Sequence, residues 1–154
     1  MSNGQWDIQR ATSTFGEKPV IFEFVVRRLR WLACVPLCPQ WFDAMLLAWT
    51  GLFSRDRLKA MEAVVDHALQ WPHVEPGWHR YGGMGFRRAG SEFAHLHGNG
   101  LLDVHLTVRD AAVAVAAGWA RPHHVFGPSA WVSFWIRDAK DVPAAVRLLQ
   151  LATH

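Results

Sequence analysis

A chain of 154 residues fits one domain and is long enough to bury a core without disulfide or metal staples. Its net charge of +3 comes with Lys and Arg scattered or paired, as in Arg27-Arg28 and Arg87-Arg88, and with no long basic run, which argues against nucleic acid as a partner. The longest apolar stretch runs only from Trp41 to Phe53, short of the ~20 residues that a membrane-spanning helix needs.

Nine tryptophans are a surplus that suits a hydrophobic or aromatic ligand as well as a packed core. Cys34 and Cys38 form a Cys-x3-Cys pair that matches neither a four-ligand zinc site nor the redox Cys-x2-Cys spacing, so both are read as reduced structural thiols. Residues 1–18 are polar, without a charged-then-apolar leader, which points to a cytoplasmic protein.

In chain order, residues 1–18 are expected to be loosely ordered and residues 19–72 helical. Val20 to Leu32 spaces Glu23, Arg27, Arg28 and Arg30 about a helical turn apart. Pro36 and Pro39 then break the chain, and Trp41 to Phe53 reads as a helix of the core, with contact to a membrane surface or a partner as the alternative. Ser54 is placed to cap a third helix, whose Leu58, Met61, Val64, Val65, Ala68 and Leu69 recur at helical intervals until Trp71-Pro72. Strands are expected at Trp78–Tyr81 and Met84–Arg88, a helix from Thr107 to Gly118, and a strand at His123–Phe126. A turn at Gly127-Pro128-Ser129, a strand at Trp131–Ile136 and a final helix after Asp141 complete the chain. The sum is an α+β domain with an antiparallel sheet and helices packed before and around it.

The chemistry gathers between Glu92 and Trp131, which holds five of the nine histidines: His95, His97, His105, His123 and His124, with the acids Glu92 and Asp103. Imidazole exchanges protons near neutral pH and is the commonest metal ligand, so such clustering asks for a chemical reason. Ala94–His97 and Leu102–Leu106 both alternate apolar and polar residues around Gly98-Asn99-Gly100, the pattern of a hairpin. A two-residue loop would mix the histidines with Leu102, Val104 and Leu106. A three-residue loop sets His95 opposite Asp103 and leaves Ala94, Leu96, Leu102, Val104 and Leu106 on the other face, with Gly100 as the left-handed residue. The clean separation selects the second register. Strand parity then puts Glu92 on the face opposite His95. His67, His73, His79 and His154 are read as structural or solvated.

Glu92-Phe93-Ala94-His95-Leu96-His97, Asp103-Val104-His105-Leu106, Gly118-Trp119, His123-His124 and Trp131 with its aromatic strand resemble, in order and near spacing, the fungal luciferase domain and its bacterial relatives. The likeness covers roughly Ser91 to Ala152, so that residues 73–154 are expected to form a luciferase-like α+β core. The chain departs from the fungal enzymes at Asp103 and His124, where they lack the acid and the histidine, and in showing no N-terminal membrane-anchoring segment. The resemblance implies an oxygenase that uses no metal or organic cofactor and adds O2 to an enolisable hydroxy-pyranone such as 3-hydroxyhispidin. In the fungal enzymes the peroxide so formed loses CO2 with emission of light.

Under that implication His95 or His97 is cast as the base, the other and His105 hold the anion, and His123 is favoured over His124 as a further member. Trp119 and Trp131 are candidate walls for a flat substrate, Glu92 an orienting group and Asp103 a tether for a histidine. Two other classes stand beside it. Two histidines of one strand with Asp103 or His105 would also suit a non-haem Fe(II) or Zn site, and the same scaffold can serve as a non-catalytic binding domain for aromatic ligands.

Overall fold

The computed structural model describes residues 37–123 and 127–153. The helix expected over Val20–Leu32, Cys34, His124, His154 and the end of the strand expected to reach Phe126 lie outside the described residues. Two helices open the described chain, α1 (Cys38–Phe53) and α2 (Arg55–Leu69). α1 begins ahead of Trp41 because Pro39, expected to break the chain, sits in its first turn, where a missing N–H leaves no bond unmade. Ser54 occupies the cap position of α2 without a capping bond from its side chain. α2 buries Ala60, Met61, Val64 and Ala68, one stripe at helical spacing.

One antiparallel sheet follows: β1 (Val74–Trp78), β2 (Met84–Arg88), β3 (Ser91–Leu96), β4 (Leu101–His105), β5 (Arg121–His123) and β6 (Gly127–Trp135), in spatial order β1-β2-β3-β4-β6-β5. α3 (Val108–Ala116) links β4 to β5, and α4 (Val142–Ala152) ends the chain after a short 3-10 turn. Thr107 caps α3 as expected, its Oγ1 accepting the Asp110 N–H at 3.1 Å. The fold is α+β. No helix among the described residues is long and apolar enough to cross a membrane.

Three sequence expectations are corrected here. The first strand lies upstream of Trp78–Tyr81, because an edge strand tolerates Pro76 and Gly77 where a central one would not. No turn interrupts Gly127–Ser129, which instead begins the long strand β6. α1 is not a core helix: it buries Asp43 and Thr50 and turns most of its large apolar side chains outward.

The apolar sheet face carries Phe86, Ala94, Leu96, Leu102, Val104 and Val132 and packs with α2 and α4 into one core. Each of the larger side chains buried there contributes roughly 1.5–3 kcal/mol. The β3–β4 hairpin has the three-residue loop Gly98–Gly100: the His97 N–H donates to Leu101 O and the Gly100 N–H to His97 O, both at 2.9 Å. Gly100 has φ +88°, and a Cβ on it would lie 2.5 Å from the Ile136 carbonyl oxygen, so the close approach of the chain just past β6 also demands glycine. His95 pairs with Asp103 and Leu96 with Leu102, the register that puts the histidines on the face away from the core.

Candidate functional site

Asp103 stands at the centre of that second face and is fully buried. Its Oδ2 lies 3.3 Å from His95 Nε2, 3.5 Å from His97 Nε2 and 3.6 Å from His123 Nε2. Ser133, its register partner on β6, donates its hydroxyl to Asp103 Oδ1. Four elements thus meet at one carboxylate: β3 brings His95 and, just past its end, His97, β4 Asp103 itself, β5 His123 and β6 Ser133. Expected to tether a single histidine, Asp103 instead has three around it.

His97 is reached from its other side by α1. Asp43 Oδ1 lies 3.3 Å from His97 Nδ1 and accepts the Gly98 N–H at 2.9 Å. Burial works against charge on this imidazole, but the Asp103 and Asp43 carboxylates outweigh it and raise its pKa to about 9. His97 is therefore an imidazolium at neutral pH. His123 is displaced the other way: burial holds its pKa below 6.5, and the attraction of Asp103 is countered by His95 and His97.

Glu92 lies on the histidine face, against the parity argument. Phe86 pairs with Ala94 and Arg87 with Glu92, so Phe93 is an extra residue; it turns into the core against Phe86, and the bulge brings Glu92 round to His95. Glu92 Oε1 lies 3.1 Å from His95 Nδ1 and 2.6 Å from His79 Nδ1. It contacts both imidazoles from the side it was not expected to occupy. Gly85, the register partner of His95, leaves the space: a Cβ there would stand 2.7 Å from Glu92 Oε2.

His79 is also corrected, from a structural or solvated residue to part of the cluster. Its ring stacks on His95 with centroids 3.7 Å apart and 13° between planes. Burial, assisted by His95 and opposed by Glu92, depresses its pKa to about 4, so it is neutral at pH 7. A carboxylate only accepts hydrogen bonds, so both Nδ1 atoms facing Glu92 carry hydrogen.

Trp131 closes one side, its ring centred 5.2 Å from His95, 5.0 Å from His105 and 6.2 Å from His123. His105 shares the face but is exposed at its rim. Trp119 is half exposed where α3 ends and is not among the groups around Asp103. Among the described residues, the candidate sets for a metal ion are His95, Asp103 and His123, all buried, or His79, Glu92 and His95.

Asp43, His79 and Ser133 were not singled out from the sequence. Asp43 had left a signal, as the only charge in an apolar helix, whereas His79 and Ser133 reach the site through sheet pairings that no local pattern encodes. The family comparison adds to this geometry. Residues 90–152 match the Luciferase domain. The matched stretch runs from β3 to the end of α4, bearing out the resemblance seen in the sequence, and contains His95, His97, Asp103, His105, His123, Trp131 and Ser133. Asp43, His79 and Gly85 lie outside the matched stretch, so the cluster is completed by the part of the chain that precedes it. No curated protein and no solved structure matches the chain significantly.

Proposed function

We propose that the protein is a luciferase-like oxygenase that adds O2 to an enolisable hydroxy-pyranone or related flat aromatic substrate, without a metal or organic cofactor. The observation that carries this reading is the opposite displacement of two imidazoles around one carboxylate, His97 raised to about 9 and His123 lowered. Groups pushed apart in this way divide into an acid and a base. Neutral His123 takes the enol proton, in place of the His95 or His97 first cast as base. The enolate carbon then gives its electron pair to O2, forming the C–O bond of a peroxide, and imidazolium His97 supports the negative charge. Trp131 offers the flat wall, with His105 at the entrance.

The test is O2 uptake with a 3-hydroxy-2-pyranone bearing an aromatic arm, by protein treated with EDTA and shown metal-free by elemental analysis. Continued uptake is expected. A second reading has its own observation: with Nδ1 of His95 turned to Glu92, Nε2 of the same ring faces Asp103 Oδ2 at 3.3 Å, and a cation fits between two such donors. Uptake that vanishes with EDTA and returns with Fe(II) selects that reading. Binding of the pyranone with no O2 consumed at any pH selects a binding domain.

A further inference from the structure

α1 carries no charge on its outer side. Its only charged residue, Asp43, is buried, while Trp41 (75% exposed), Met45 (58%), Trp49 (64%), Leu52 (74%) and Phe53 (66%) face outward. Trp78, 86% exposed, and Tyr81 on the β1–β2 connection extend the patch, and Leu37, Gln40, Trp41, Ala44 and Trp78 line an open cleft of about 260 Å³. A face of this kind on a water-soluble surface asks for an apolar partner.

We propose that this face of α1, with Trp78 and Tyr81, seats the protein on an anionic lipid surface, the helix lying in the plane of the interface. Three observations carry the choice of occupant. Tryptophan, an amphipathic ring suited to the headgroup level, supplies the two most exposed side chains of the patch, Trp78 and Trp41, and Trp49 and Tyr81 lie exposed beside them. Cations frame it: Arg55 and Lys59 are exposed just beyond α1, and Arg80 lies over the Tyr81 ring with its backbone held by Gln40. Across residues 37–59 the one exposed acid is Asp56. This balance complements anionic headgroups. A twofold pairing of the same face would instead bring two sets of these cations together around one apolar contact.

The proposal does not depend on the oxygenase reading, and neither does its test. The full chain is sedimented with vesicles of phosphatidylcholine alone and of phosphatidylcholine containing about one-third phosphatidylserine. Binding is expected to the anionic vesicles, at least about tenfold weaker to the neutral ones, with a blue shift of tryptophan emission. Trp41→Ser/Trp49→Ser should weaken it about tenfold or more at unchanged melting temperature, since both side chains are exposed. Arg55→Gln/Lys59→Gln should remove most of the preference for anionic lipid while the apolar face is intact. Absence of binding to either vesicle, or equal binding by both double variants and the parent, overturns the proposal. So does a dimer in solution that the tryptophan variant dissociates while vesicles bind neither form, because the face then belongs to a second copy.

Discussion

Charge on His97 ties folding stability to pH within a defined window. Its pKa rises from 6.5 in the unfolded chain to about 9 in the fold, so the folded state binds the proton more tightly. The stabilisation is complete below pH 6.5 and is lost as pH climbs through about 9. The difference of about 2.5 in pKa corresponds to about 3 kcal/mol. His79 and His123 are displaced downward, so they are neutral in both states above pH 6.5 and leave this window alone; they lower stability only as pH falls below 6.5. Asp43→Asn keeps the side-chain shape but removes one of the two carboxylates that hold the proton. At pH 6.5 it should cost about 2 kcal/mol, the worth of a hydrogen bond to a charged group, and it should shrink the decline between pH 6.5 and 9. Urea unfolding of both proteins at pH 6.5, 7.5 and 9 measures this directly. A parent protein equally stable at pH 6.5 and 9 would refute the assignment of charge to His97.

His123→Gln should reduce O2 uptake about 100-fold or more with the fold intact, the usual loss for a general base, and uptake at an unchanged rate would take His123 out of the reaction. In the parent protein the rate should be flat from pH 6.5 upward and fall as His97 loses its proton near pH 9; a rate still rising through pH 9 contradicts the division of roles. Gly98→Ala places a Cβ 2.6 Å from both the Asp43 carbonyl oxygen and the Leu47 amide nitrogen, backbone atoms that cannot yield cheaply, so a loss of about 1–3 kcal/mol is expected in chemical denaturation. Gly85→Ala meets only the tip of Glu92, so melting should change little while the Nδ1–H signals of His79 and His95 move in the NMR spectrum. Unmoved signals would show that Gly85 does not make room for Glu92.

The hairpin was legible because three local signals agree: period-two alternation on both arms, a glycine where φ must be positive, and one loop length that separates polar from apolar faces. Glu92 was misplaced because a bulge changes strand parity, and nothing in Ser91-Glu92-Phe93 marks Phe93 as the extra residue. His79 depends on the pairing of β2 with β3, a contact between distant positions. α1 was read as a core helix from its apolar composition. Its two buried polar residues decide the orientation instead, because Asp43 is required at the hairpin tip and a helix can turn only one side to the sheet. Trp119 and Trp131 looked alike as aromatic walls, but only β6 lies beside β4, which is what brings Trp131 to the histidines.

The Gly98 amide is bonded to the Asp43 carboxylate on α1 rather than to a strand. Its hydrogen can therefore exchange with solvent when α1 lifts, even while the β3–β4 pairing stays closed. The exchange rate of this single amide thus times the opening of α1 over the histidine face separately from unfolding of the sheet. A lipid surface that holds α1 down would slow it, and Asp43→Asn would speed it.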